Sequence, residues 1–459
     1  MDRNKFSLEI DSKKTLKQII IFSLPIAATG ILQRLFSTAD SVVIGQFAGS
    51  NCLAAIGATT AIIDLLIGST LSSSIGANIM VSRYLGAGDE KRVNRSISSG
   101  IGFGGLLGIL IGFLVFFFSK MILRRMNTPE QILPMSVQYL QFYSLGVPAS
   151  MVYSFGTAIL RAFGETRKPM LFLLLSGLIN LVLNVIFVAC FHLDVAGVAI
   201  ATSISQYIAL FLVLRTLKSF VYGEEKRQLR FFKEETVQIM QTGFPAALEA
   251  IIFSLSHIAI QTCINYFGTA AIAGHTASTN ITEFIYRAMN SVYFAAVTFA
   301  SQAYGMGQIS KVKKIYQSCI WATLIISVPL CVLNLLFGEQ LLSIYIKSTE
   351  EEFKQIIEYG MVRNAYICLT YFTAGFMEVG CAINRGMGRS WMPVIVSTVG
   401  SCLLRLIWLW TAFPQIPKIG IVYISYPVTW VITAIAQFIG FRIIYKKLAV
   451  SSVKSIIVE

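Results

Sequence analysis

Several ionisable side chains lie inside long apolar runs of this sequence: Asp40, Asp64, Glu249, Glu283, Glu378, His257, Arg34, Arg287 and Arg405. An ionisable group in such surroundings costs about 3 kcal/mol or more, so each is a candidate for function by default. Asp40 leads them. It sits six to nine residues below the end of the first apolar run, near Gln46–Gly49. Asn180 and Asn184 stand i,i+4 on one helix face of a later run. Asn184 is eight residues below that run's end near His192, and Thr202 is eight residues into the run that starts at Asp194. With opposite helix directions taken into account, these positions share a depth of about 9–18 Å. One carboxylate, two amides and a hydroxyl thus gather as hard oxygen ligands. That set suits Na⁺, and the carboxylate alone can carry a proton. The plainer alternative is that the Asn and Thr side chains only join helices by hydrogen bonds.

The second half offers less order. Glu249 lies near the middle of its run, with His257 two turns on. Glu283 and Arg287 are i,i+4 and are expected to form a local ion pair. Glu378 precedes Arg385 by two turns. Neither Glu249 nor Glu378 has a basic residue at i,i+4, so a proton, a metal ion, another helix's base or a cationic cargo must neutralise each. Glu249, His257, Glu283 and Glu378 are therefore candidates for lining a substrate cavity. The chain has no GxxxxGK[ST], HExxH, GxSxG or clustered metal-ligand spacing. No enzymatic activity and no cofactor are expected. Without a P-loop, active transport has to draw on an ion gradient, with H⁺ or Na⁺ as the coupling ion.

The elements that must position these groups are membrane helices. Of 459 residues, 55% are apolar and 13% charged, against roughly 25% charged in a soluble domain. Mean hydropathy is +0.69. A disordered chain, a coiled coil and a disulfide scaffold are excluded. The net charge of +14 comes from basic residues between apolar runs, which points to topology and anionic lipid rather than nucleic acid. The eight cysteines form no CxxC and are expected to be buried thiols. The polar, basic stretch through Lys17 and the length of the first run argue against a cleaved signal peptide.

A helix needs about 20 apolar residues to cross a bilayer. Twelve spans are predicted, near 17–46, 53–82, 96–119, 132–160, 168–191, 195–216, 236–266, 269–303, 315–338, 356–384, 391–413 and 419–444. With the N-terminus inside, the cytoplasmic segments hold 27 Lys and Arg and the outer loops 6; Arg34, Arg287, Arg363 and Arg405 fall within spans. That bias places both termini in the cytoplasm. The charged stretch 218–235 separates two halves that resemble each other. Ser82-x-x-x-Gly86-Ala87-Gly88 matches Ser301-x-x-x-Gly305-Met306-Gly307 at an offset of 219, and Arg161-Ala162-Phe163-Gly164 matches Arg385-Gly386-Met387-Gly388 at 224. Gly197 matches Gly420 at 223, and Pro25 resembles Pro245. Six spans per half make a parallel repeat, one of the known transporter architectures. The fold expected is all-α and integral to the membrane, with an N-terminal six-helix bundle (1–217), a cytoplasmic linker (218–235) and a C-terminal six-helix bundle (236–459).

At this level of detail the sequence resembles a known family. Ala39-Asp40-Ser41-Val42-Val43-Ile44-Gly45 looks like the first-helix signature of the multidrug and toxic compound extrusion (MATE) transporters. Ser82-Arg83-Tyr84-Leu85-Gly86-Ala87-Gly88, the two R-x-x-G turns at Arg161 and Arg385, and Ala273-Gly274-His275-Thr276 match other family positions. The resemblance covers roughly residues 17–446. It implies two six-helix bundles and export of amphipathic, organic-cation compounds such as drugs and dyes in exchange for H⁺ or Na⁺. It implies a cation site at Asp40, Asn180, Asn184 and Thr202, with Asn184 standing where many members have Asp. The acids that one branch carries on spans 7 and 10 would fall near Phe253–Ser254 and Ala374; neither place is acidic here, and Glu249 and Glu378 each stand one turn away. The expected partners are small amphipathic substrates and the lipid bilayer, with no nucleic acid. The expected form is a monomer in the bacterial inner membrane. A lipid-linked saccharide flippase of the related superfamily is the main rival, set aside on its usual fourteen spans and arginine-rich cavity. A membrane enzyme or receptor would need convergent groups at a membrane face, which the sequence does not show.

Overall fold

The structure, a computed structural model, describes residues 14–221, 231–346 and 350–458. Among them every regular element is helical. We number the spans α1 (Thr15–Phe47), α2 (Gly49–Ala87), α3 (Glu90–Arg125), α4 (Leu133–Ser144 and Val147–Ala162), α5 (Arg167–Val185, then a π turn Ile186–Cys190) and α6 (Asp194–Leu217). The second half repeats them as α7 (Lys233–Asn265), α8 (Thr269–Gly305), α9 (Ile309–Leu336), α10 (Glu350–Cys368 and Tyr371–Gly386), α11 (Trp391–Ser397, a π turn Thr398–Leu403, then Leu404–Gln415) and α12 (Ile419–Val458). A short helix, Gly338–Ser343, follows α9.

Nine of the described helices are long and apolar enough to cross a bilayer alone, and the α10 pair, bent by 46°, makes a tenth. The other two spans have a local reason for falling short. α4 is interrupted at Leu145–Gly146, and α8 carries Glu283, Arg287 and a run of hydroxyl residues. Burial departs from the soluble pattern at both ends of the polarity scale. Phe113, Phe117, Trp321 and Trp410 are exposed, whereas Asn184, Asn364, Asn384 and Gln437 are fully buried. Apolar side chains facing outward and polar ones facing in is the arrangement a hydrocarbon solvent requires. Of the cysteines, six are buried, Cys263 is half-buried and Cys190 is exposed; all are free thiols.

The repeat seen in the sequence is a repeat of backbone geometry. Among the described residues the glycines with positive φ are six: Gly49 and Gly268, Gly88 and Gly307, Gly164 and Gly388. They form three pairs at the offsets of the sequence repeat. Gly88, Gly164, Gly307 and Gly388 each end a span in the left-handed conformation, which a Cβ disfavours. Each is followed by a 6→1 hydrogen bond: Asp89 N to Tyr84 O (3.1 Å), Glu165 N to Leu160 O (3.0 Å), Gln308 N to Ala303 O (3.0 Å) and Arg389 N to Asn384 O (3.1 Å). These are Schellman caps, which satisfy the carbonyls a helix end leaves open.

The chain divides into two compact units, but not at the expected boundary in 218–235. One unit holds Ala28–Ala247; the other joins α1 up to Ala27 with the chain from Leu248 onward. Each half thus lends the first part of its opening helix to the unit made by the other half. The handover falls two residues after Pro25 in α1 and two after Pro245 in α7. A proline inside a helix removes the backbone hydrogen bond to the carbonyl four residues before it and loosens the turn that precedes it. In the first unit the lent segment is tightly seated: Ile239 is fully buried, Tyr84 donates to Gln238 (2.5 Å), and Arg95 faces the buried Glu235 (3.8 Å). In the second, Phe22 meets Phe299 edge to face at 5.5 Å.

Candidate functional site

In the first unit, α1, α5 and α6 bring the four expected residues together. Asn184 donates from Nδ2 to Asp40 Oδ1 at 2.6 Å. Asn180 Nδ2 donates to Thr202 Oγ1 at 3.3 Å, while its Oδ1 accepts from Asn184 at 3.3 Å. With its amide turned over, Asn180 instead donates to Asp40 Oδ1 at 3.0 Å and accepts from the Thr202 backbone N–H at 3.2 Å. Thr202 is anchored by its hydroxyl on Val198 O at 2.9 Å. Asn180 is 6% exposed and Asn184 not at all, while Asp40 is half-buried. No base within 4 Å pairs with Asp40 among the described residues.

The site is short of positive charge and has an acceptor to spare. Asn184 Oδ1 is buried without a hydrogen-bond partner. A buried acceptor left open is costly, and a bound cation or a hydroxyl proton would satisfy it. The residues present therefore fit a hard monovalent ion: the Asp40 carboxylate, the two amide oxygens and the Thr202 hydroxyl supply oxygen only. They also fit a proton. The amide of Asn184 offers N–H to a carboxylate and, turned over, oxygen to a carboxylic acid. The π turn that starts just after Val185 shifts the register of α5 beyond Asn184. Such bulges frequently accompany functional sites.

In the second unit the candidates scatter. Glu249 of α7 is 9% exposed and forms an ion pair with Arg385 of α10, whose guanidinium also donates to the Tyr293 hydroxyl. Cys381 Sγ lies 3.9 Å from Glu249 Oε1. The base of another helix thus neutralises Glu249, one of the four possibilities left open by the sequence. Glu378 is half-buried and has no hydrogen bond or ion pair among the described residues; the charges of Glu249 and Arg385 both act on it. Glu283 pairs with Arg287 at 3.4 Å, as the spacing predicts. His257 is exposed, on the part of α7 nearer its C-terminal end. Sequence reasoning passed over Arg363, which donates to Ser278 Oγ (2.8 Å) and Thr282 Oγ1 (3.0 Å). Its only signal was being an arginine within a span.

Two six-helix repeats, twelve spans and a polar cluster within the membrane define a secondary-transporter fold. The comparisons with known proteins agree. The MatE family model matches residues 25–186 and 245–411. The chain is 25% identical to the probable multidrug resistance protein YoeA of Bacillus subtilis over 442 residues, 94% of each chain. It is 25% identical to the multidrug export protein MepA of Staphylococcus saprophyticus, covering 83% of this chain and 84% of that one. Its fold matches a mutant of the Vibrio cholerae MATE transporter VcmN with a TM-score of 0.86 at 20% identity, over 96% of this chain and 98% of that one. A MOP superfamily transporter from Pyrococcus furiosus matches with a TM-score of 0.86 at 19% identity, over 96% and 97%. The chain belongs to the MatE family, the MATE multidrug efflux transporters.

Proposed function

We propose that this protein is a secondary antiporter that exports small amphipathic, cationic organic compounds in exchange for H⁺ or Na⁺, acting as a monomer in the bacterial inner membrane with both termini in the cytoplasm. The observation that carries the coupling is Asp40: a carboxylate in a membrane-spanning helix, held by the Asn184 amide, with no base paired to it among the described residues and an open acceptor beside it. Such a site is neutral when it holds a proton or Na⁺ and charged when empty. The charged form is expensive away from water, so the occupied and empty states favour different exposures of the site. Cargo that binds only one of those states is then exchanged against the ion, because a ligand shifts an equilibrium by its difference in affinity. Glu378, half-buried and without an ion pair among the described residues, supports cation preference on the cargo side. The names of YoeA and MepA agree with drug export.

The test is efflux of a permanently cationic dye from proteoliposomes, with a pH gradient and an Na⁺ gradient imposed separately. Export driven by at least one of them is expected. A protein that moves the dye equally well with neither gradient is not an antiporter.

A further inference from the structure

The second unit carries a cluster that cation export does not call for. Arg363 is 6% exposed and Arg405 1%, and neither has a carboxylate within 4 Å among the described residues. Glu283, next in the chain to the Thr282 that Arg363 holds, is already engaged by Arg287. Among the described residues both arginines make neutral contacts. Arg363 donates to two hydroxyls. Arg405 donates to Thr429 Oγ1 at 2.8 Å and lies 4.4 Å over the Tyr426 ring. The Nε of each is buried with no acceptor. His257 lies within electrostatic reach of both guanidinium groups, and His275 of Arg363 and His257. His275 itself stacks on Tyr423, with its Nδ1 3.3 Å from the hydroxyl. Ser278 and Thr282, which hold Arg363, stand one and two turns along α8 from His275, and Tyr426, beneath Arg405, stands one turn along α12 from Tyr423, so these basic side chains gather where α8 and α12 meet. Of the four, His257 is the exposed one.

The place of this cluster in the repeat is telling. The offsets of 219–224 carry Asp40 onto Ala259, Asn180 onto Leu403 or Leu404, and Thr202 onto Ser425. The second unit therefore has no acid where the first has Asp40, and it has Arg405 beside the counterpart of Asn180. Both sites adjoin a π turn of their fifth span. His257, Arg405 and Thr429 stand eight, ten and ten residues from the outer ends of their helices, a depth of about 12–15 Å. The repeat has kept the position and reversed the charge. Two buried, unneutralised guanidinium groups are costly, and an anion would relieve them. Guanidinium forks match carboxylate and phosphate oxygens. The surrounding Tyr371, Tyr423, Tyr426 and Trp430 form an aromatic wall.

We propose that this cluster is a binding site for an oxyanion carried on an apolar or aromatic body, a carboxylate or a phosphate monoester, held by Arg363 and Arg405 with His257 at the entrance. It rests on the second unit's geometry and not on the antiport reading, so it is tested without any gradient. Binding of benzoate, phenyl phosphate and the neutral isostere benzamide to the purified full-length protein in detergent is measured by calorimetry. At least one of the two aryl oxyanions should bind, the tighter one identifying the head group, and benzamide should not. Arg405→Gln and Arg363→Gln should each lose about tenfold or more in affinity, the value of a hydrogen bond to a charged group. Arg405→Lys should fall between, and Gly68→Ala, a change in the other unit with open space around it, should bind as the parent does. Absence of binding by both oxyanions, equal binding of benzamide, or affinity unchanged in both glutamine variants would overturn the proposal. Should neither glutamine variant fold, the comparison with benzamide on the unaltered protein still decides it.

Discussion

Asp40 is held by the neutral amide of Asn184, which with Asn180 and Thr202 completes a polar cluster, and its replacement should separate coupling from folding. Asp40→Asn keeps the shape and the hydrogen-bonding capacity and removes the exchangeable charge. It should abolish gradient-driven dye export in proteoliposomes while the protein still reaches the membrane; Asn184→Ala should weaken export less. Full export by Asp40→Asn under both gradients would remove this site from the mechanism. Glu249 calls for the opposite experiment. Its partner Arg385 is 3% exposed, so Glu249→Gln should leave a buried guanidinium unpaired and cost about 3–5 kcal/mol. The double change Glu249→Gln with Arg385→Gln should recover part of that, read as thermal denaturation in detergent. The Asp40 cluster was legible in the sequence because helix direction and rise fix depth, and four polar groups at one depth have few places to go. The Glu249–Arg385 pair was not legible. Its members are 136 residues apart, and depth says nothing about which way around its axis a helix turns a side chain.

At the scale of elements, the length of the apolar runs located the spans, while their interruptions stayed hidden. The break at Leu145–Gly146, the bend between Cys368 and Tyr371 and the two π turns leave hydropathy unchanged, since apolar residues continue through them. They are set by tertiary packing, and at some places by glycine. A Cβ on Gly400, inside the π turn of α11, would stand 2.3 Å from Thr433 Oγ1. A Cβ on Gly76 would stand 2.3 Å from Ile239 O and 2.8 Å from Gly243 N, where α2 and the lent part of α7 touch backbone to backbone. Gly68, two turns earlier on α2, has nothing within 4 Å. Gly76→Ala should therefore destabilise the protein by about 1–3 kcal/mol through overpacking. Gly68→Ala should be neutral or slightly stabilising. Equal melting temperatures for the two variants would contradict this packing.

For the whole molecule, both the topology and the division into units can be tested. Reporter fusions at Lys218 and after Lys447 should both read cytoplasm; an external signal at either would break the twelve-span order. The expected boundary at 218–235 was a reading of charge, and charge marks where the chain meets water. It carries no information on which helix packs where. Part of that stretch, 222–230, lies outside the described residues. Cutting the chain there should leave transport intact when both pieces are made together, since no described span is severed. Either piece made alone should fail, because the first unit includes α7 up to Ala247 and the second includes α1 up to Ala27.

The exchange of helix starts has a consequence for what a lone half can be. A protein consisting of one such half would lack its partner's opening segment and would offer its own to another copy. Two copies would be completed by trading, and their assembly would fall apart on dilution. Joining the halves in one chain replaces that bimolecular step by an intramolecular one, with an effective concentration of about a millimolar for a short connection. Tethering thus makes a reciprocal loan into a property of a single chain, independent of how many molecules the membrane holds.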